Sequence, residues 1–347
     1  MKRFFKVFRG AFALVCFIGA GALASCSTGE AIQGVLGSDS GEEGFSSEAP
    51  EFLACKVVSS QEINFQFSRP VQVVSLNFEP ALTVDSTDGG ATVKIMLGAA
   101  PDEGAAVMAD ILVEDTAGNT LNVLVPFRTR NDRIPKLLIT ELRTEYSSPR
   151  TEFVEFKTLE AGNLGALRLF IPGNTKNPLA FEFPPTEVAS GEYVLVHLRT
   201  RDTDIGATNE TGSELDLSGG NEALADVRDF WVPGSAELLR KTDTVYFMDQ
   251  DDKVIDAVML SENPDAWWSK EHYAAAAELL QEQGAWLASA DTEIPGPSDA
   301  VISGKTTATR SISRDEAAPD TNRASDWYIT ANNSATPGKT NSTKRLE

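Results

Sequence analysis

The sequence predicts a mainly β protein with two β-sandwich modules in series, the second carrying a short helical insertion. Three observations lead there. Apolar and polar residues alternate over short runs through residues 51–132, and the pattern restarts after RNDRIP and continues to about residue 343; this is the period of half-buried strands. Gly, Pro, Asn and Asp clusters cut the runs at short intervals, as turns between strands do. Residues 263–290 depart from the pattern with AAAAELLQEQG, a run of good helix formers.

The N-terminus follows a different logic. MKRFFKVFRG places Lys2, Arg3, Lys6 and Arg9 ahead of the apolar run AFALVCFIGAGALA. That run is shorter than the about 20 residues a spanning helix needs and fits the apolar part of a secretory signal peptide. It closes on LASC, residues 23–26, which resembles the bacterial lipobox. The resemblance implies a signal peptide over residues 1–25 and a mature chain lipidated at Cys26, palmitate being one such acyl group. It also implies a place in the bacterial cell envelope. Residue 27 is Ser rather than Asp, which favours the outer membrane. Several acyl chains anchor a protein stably where one does not, so the expected membrane contact is this lipid. No later segment has 18 uninterrupted apolar residues, the length expected of a spanning helix.

Residues 26–50, rich in Gly, Ser and Glu, read as a disordered tether with a reach of roughly 25–30 Å. The formal charge is −21, and removal of the basic signal would make it more negative still. Nucleic-acid binding by counterion release needs clustered Lys and Arg, so that class of partner is disfavoured. With Cys16 in the signal and Cys26 lipidated, Cys55 remains alone. A disulfide within the mature chain and a cysteine zinc site are both excluded.

In the first module the strands are ACKVVSSQEINFQFS, VQVVSLNF, ALTVDS, ATVKIML, MADILVED and NTLNVLVPF, with Pro70 and Pro80 as punctuation and DTAGNT as a tight hairpin. FQFSRPV followed by VEDTAGNTL is similar to bacterial immunoglobulin-like modules. In the second module, Ile139 and Glu141 lie in one strand and EFVEF (residues 152–156) in the next. LGALRLFI, GEYVLV, VYFMDQDDKVIDAV and a closing ISRDEAAPDTNRASDWYITANNSATPGKTN follow. These phrases resemble a lamin tail domain, whose fold is a small immunoglobulin-like sandwich and whose known roles are mainly binding and scaffolding. Two stretches fall outside the resemblance: an acidic, Gly/Ser-rich insertion near 199–240 and the helical one near 263–290.

Three groups of residues are candidates for chemistry. MDQDDKVIDAV offers Asp249, Asp251 and Asp252 as metal ligands. An EF-hand loop counted from Asp249 would need a ligand where Lys253 stands and Gly where Val254 stands. The expectation is therefore a hairpin tip with no cofactor, weak calcium binding being the alternative. Trp267, Trp268, Tyr273 and Trp286 bracket the helix, which Asn263-Pro264 would start and Gly284 would end. They either pack it over an open end of the sandwich or form an exposed aromatic surface for a protein or glycan partner. His197 reads as a strand residue. Glu141, Glu152 and Glu155 read as outer-face residues of strands whose inner face carries Leu138, Phe153 or Phe156.

No H-E-x-x-H, G-x-S-x-G or phosphate-binding loop occurs. The expectation is a non-enzymatic binding or structural module held at a membrane by lipid, its interaction face among the insertion loops. The alternatives are a hydrolase or a nuclease-accessory protein using acidic loops. A concave pocket with converging carboxylates would favour the hydrolase.

Overall fold

The computed structural model describes residues 49–173, 178–289 and 293–347; the expected signal peptide, Cys26 and nearly all of the tether lie outside them. The chain is mainly β, with several sheets and one α-helix among the described residues. It divides into two compact units. Of the described residues, one comprises those up to 100 together with 106–127, the other 101–105 and those from 128 onward.

The first unit has β1 (Phe52–Ser59), β2 (Glu62–Glu79), β3 (Val84–Asp88), β4 (Gly90–Leu97), β5 (Ala106–Asp115) and β6 (Thr120–Arg128, whose last residue belongs to the second unit). Strand β2 organises it. Its first part pairs with β1 and β4, its second with β5. Pairing with β4 is interrupted between Gln66 and Val71. The sequence suggests a break at Pro70; the strand instead runs through it, because a residue outside the ladder needs no N–H to donate. Inward-facing Ile63, Phe65, Val93, Ile95, Ala109, Ile111 and Val113 form the core. The expected hairpin at DTAGNT is present. Asp115 accepts from the backbone N–H of Ala117 and Asn119, and Gly118 adopts φ 82°.

In the second unit the strands are β7 (Leu137–Arg143), β8 (Phe153–Thr158), β9 (Gly162–Asn163), β10 (Arg168–Phe170), β11 (Leu179–Glu182), β12 (Glu187–Val188), β13 (Tyr193–His197), β14 (Arg228–Trp231), β15 (Asp243–Met248), β16 (Val254–Ser261), β17 (Val301–Ile302), β18 (Ile312–Arg314) and β19 (Trp327–Ile329), with helix α1 (Glu271–Glu282) between β16 and β17. A six-stranded sheet, β14-β13-β8-β7-β18-β19, and a five-stranded one, β11-β10-β15-β16-β17, enclose one core. Phe156, Phe183, Phe230 and Phe247 meet at its centre, mostly edge to face.

The two insertions have a topological role. Strands β13 and β14 pair in parallel, as do β16 and β17. A parallel pair needs a crossover of a dozen or more residues, whereas an antiparallel one needs only a turn. Residues 198–227 and 262–300 are those crossovers, and each delivers one added edge strand.

Helix α1 buries Tyr273, Ala276, Ala277 and Leu280. It begins at Glu271, later than Asn263-Pro264 suggests, with Lys270 as an N-cap that makes no side-chain bond. Its end is as expected: Gly284 takes φ 69° and the N–H of Ala285 returns to the Leu280 carbonyl at 2.8 Å. Gly284→Ala is expected to cost about 1 kcal/mol or more in urea unfolding, because Ala resists positive φ.

Candidate binding cleft

The six-stranded sheet carries two cross-strand rows of side chains on the face away from the main core. One row is Tyr328, Ser313, Glu141, Glu155, Leu195 and Asp229. The other is Arg143, Phe153, His197 and Trp231. The sequence reading places Glu141 and Glu155 on an outer face, and so they are, but both are fully buried. Phe153 shares their face rather than that of Phe156, since a strand alternates residue by residue. Glu152 is buried too, paired with Arg199.

Two segments bury this face. Over β7 and β8 lies the closing stretch that contains TPGKTN. The N–H of Thr336 donates to Glu141 at 2.9 Å, that of Gly338 to Glu155, and that of Asn341 to Glu316 at 2.7 Å. Over β13 and β14 lies the insertion. Arg143 binds Glu222 at 2.7 Å, Trp231 Nε1 donates to Ser218 at 2.8 Å, and His197 stacks on Trp231 with ring centres 3.8 Å apart. His197 Nε2 lies 2.8 Å from Asp229. The adjacent carboxylates Glu141 and Glu155 are therefore sealed from solvent.

The insertion is organised rather than a solvated acidic run. Glu210, 1% exposed, accepts from the N–H groups of Leu217, Ser218 and Asp229 at 2.9–3.1 Å. Arg228, also buried, reaches Glu192 at 2.6 Å and the carbonyls of Glu210 and Gly212 at 2.6 and 2.7 Å. These bonds hold residues 211–215 as the lip of an open cleft of about 1020 Å³. Its other walls are residues 101–103, Arg133, Asn163 and the segment through β12. Arg133 sits between Glu103 and Glu187 at 2.7 and 2.6 Å. Asn163 donates to Glu187 at 2.8 Å. The Arg133 bond, then that of Asn163, holds the Glu187 carboxyl below its ordinary range. Arg133 is half exposed, so each of these pairs contributes only about 0.2–1 kcal/mol. None of the carboxyls pushed upward by burial, Glu141, Glu152, Glu155, Asp243 and Asp256, lines the cleft.

The acidic hairpin is a tip, but its aspartates are engaged. Asp249 accepts from the N–H of Asp251 and Lys253. Asp251 takes both terminal nitrogens of Arg130 at 2.8 and 2.6 Å, and Asp252, at φ 59°, binds Arg168 at 2.8 Å. Among the described residues no group of three or more His, Cys, Asp or Glu is arranged around a metal site.

The aromatic group separates. Trp286 is fully buried and Tyr273 nearly so, which removes both from any partner surface; they pack α1 onto the core. Burial pushes the Tyr273 hydroxyl up to about 12. Trp268 is partly buried, its Nε1 donating to the Pro295 carbonyl at 2.9 Å. Only Trp267, 92% exposed, remains available. Trp267→Ala is expected to leave urea-unfolding stability within about 0.5 kcal/mol of the parent.

The cleft residues were not singled out by the sequence reading. The one available signal was Arg228, a cation standing within the acidic insertion.

Residues 135–329 match the family model TP_1001_2nd, described as a protein second domain. A curated relative from Treponema pallidum (strain Nichols), named "Uncharacterized protein", is 30% identical over 200 residues, covering 54% of this chain and 49% of its own. The chain thus spans about half the length of that relative. No solved structure matches. The family match covers more than half of the 347 residues, and the chain belongs to the TP_1001_2nd family.

Proposed function

We propose that this protein is a lipid-anchored lipoprotein of the bacterial envelope, outer membrane favoured, whose second module is a non-enzymatic binding module for a protein or glycan partner. The observation that carries the reading is the cleft. It is large and open, its lip is fixed by buried Arg228 and Glu210, and five of its carboxylate and guanidinium groups are already joined in ion pairs. A preformed site with its charges held in place suits recognition. The lamin-tail resemblance belongs to the same proposal. The phrases that carry it supply Glu141, Glu155, Asp256 and Arg314, all buried between or behind the sheets, whereas the cleft is walled jointly by that scaffold, at Asn163 and residues 185–192, and by the insertion, at residues 211–215 and Arg228.

No helix among the described residues is long and apolar enough to cross a membrane; the attachment proposed is acylation of Cys26. Labelled palmitate should enter the wild-type chain in cells and fail to enter Cys26→Ala, with release of the protein from the membrane fraction. Incorporation into both would reject the anchor.

Binding is tested by a photo-cross-linking residue placed at Ser213 on the cleft lip or, separately, at Trp267. A discrete adduct from position 213 in intact cells is the expected result. An adduct from 267 alone would move the interface to the aromatic loop, and none from either would reject the binding module.

A further inference from the structure

We propose that the cleft takes an extended polypeptide segment bearing lysine or arginine side chains, an inference that rests on the binding reading above. The charges lining the cleft are unequal: among the described residues Asp102, Glu103, Glu187 and Glu192 face only Arg133 and Arg228. One guanidinium, that of Arg133, serves both Glu103 and Glu187, so one negative charge there is left over. Asp102 is exposed and takes part in none of the described ion pairs. An incoming cation can therefore be received without breaking an existing pair.

The neutral lining selects among occupants. Among the described residues no Phe, Tyr or Trp lines the cleft, and aromatic rings are the usual seat for the C–H face of a sugar. Pro185, Val188 and Leu215 provide apolar wall instead, which suits the methylene stems of Lys and Arg while their heads reach carboxylates. The first three residues of the lip, 211–213, are Thr-Gly-Ser; their hydroxyls and peptide groups match the backbone of an extended chain, the general basis of strand-like peptide recognition. A volume of about 1020 Å³ is more than one side chain requires. The carboxylates are partly solvated, so attraction falls with salt and several contacts must share the affinity.

The test uses the full chain in detergent micelles and fluorescent synthetic peptides of about ten residues, ~33 Å when extended, on a Gly/Ser/Thr background. Net charge is stepped from acidic through neutral to basic, and binding is read by polarisation at physiological salt. Affinity should rise with positive charge. Asp102→Lys with Glu187→Gln should weaken the basic peptide roughly ten-fold, the scale expected of a few rim charges. Asp85→Lys with Asp88→Asn on β3 makes the same change in net charge and should leave binding intact. Circular dichroism melting of both variants checks that each is folded. Equal losses in the two variants would mean attraction to the acidic protein as a whole and would overturn the proposal. So would tighter binding of the neutral or acidic peptides. If a neutral oligosaccharide bound instead, and Ser213→Trp blocked it, the polypeptide inference would fail while the binding reading stood. If peptides and oligosaccharides all failed and neither position 213 nor position 267 gave an adduct in cells, both would fall.

Discussion

Arg314→Met is expected to destabilise the second unit by about 3–5 kcal/mol, the cost of removing one partner from a buried ion pair. Arg314 ties three elements together. Its Nη2 meets Asp256 of β16 at 2.8 Å, its Nη1 meets Asp320 at 2.6 Å, and its Nε donates to the carbonyl of Ile139 in β7 at 2.7 Å. Asp256 also accepts the N–H of Ile139 at 2.6 Å, and the guanidinium lies 4.6 Å from the centre of the Trp327 ring. One pair therefore joins the two sheets at β16, β7 and β18. Burial already lifts the Asp256 carboxyl to about 6, against the pull of Arg314. Without the arginine it must rise further and take up a proton on folding. A carboxyl with a raised folded pKa favours the fold below its unfolded value and loses that contribution as pH climbs through the folded one. The variant should therefore weaken more steeply than the parent as pH rises above about 5. Urea titrations at several pH values measure both effects. Asp256→Asn in the Arg314→Met background should recover much of the loss, since no buried charge then lacks a partner. A single-variant loss below about 1 kcal/mol, the range of an exposed pair, would show that the clasp contributes little.

Asp256 and Arg314 show what the sequence makes legible. Both fall inside phrases that mark the module, VIDAV and ISRD, yet nothing local says that residues 58 positions apart form one pair. Strand existence, the helix and the DTAGNT hairpin were readable because period and turn chemistry are local. The parallel edge strands β14 and β17 were not, because pairing direction depends on what the crossover covers. Gly338 is a similar case. Its φ of 81° suits a glycine-bearing turn, but the Val227 side chain of the insertion also occupies the space a Cβ would need.

Burial of the glutamates was misread for a related reason. A Glu on the non-core side of a strand belongs in water unless a later segment covers it, and here residues far along the chain do so. The cleft was least legible of all, since its lining comes from five or more separate stretches. No spacing rule connects Asp102, Arg133, Glu187 and Arg228.

The buried carboxylates under the closing segment lead to the second large effect: Glu155→Gln should become progressively more stable relative to the parent as pH rises. Glu141 and Glu155 are direct cross-strand neighbours, a spacing of about 5 Å between Cβ atoms. Glu141 accepts from Ser311, from Ser313 at 2.9 Å and from the N–H of Thr336; Glu155 accepts from Thr140 at 2.6 Å and from the N–H of Gly338. Burial, then the Glu141 charge, pushes Glu155 well above its ordinary range, and burial pushes Glu141 up despite its hydrogen bonds and the nearby Arg143. Glu316, held by Lys157 and Tyr193, adds further repulsion on Glu155.

The sign follows from proton counting. Between the unfolded and folded pKa values the folded state holds more protons, so stability falls as pH rises, by about 1.4 kcal/mol for each unit separating the two. Below the raised folded value the parent carboxyl keeps its proton and the variant should match it closely. Once pH has climbed through that raised value the parent must bury the Glu155 charge beside Glu141, whereas glutamine still accepts the Gly338 N–H through its carbonyl oxygen. Thermal melts across this window, together with hydrogen exchange at the amides of residues 336–341, give two independent readings. Exchange there should quicken with pH beyond its intrinsic rate in the parent and not in the variant. Glu141→Gln provides a second route, since removing its charge lowers the barrier to ionising Glu155. Parallel stability curves for parent and both variants would falsify the shared-carboxylate account. The closing segment would then be held by its other contacts, Asn341 Nδ2 to the carbonyls of Thr140 and Arg314 and Tyr328 to Ser342, independently of protons.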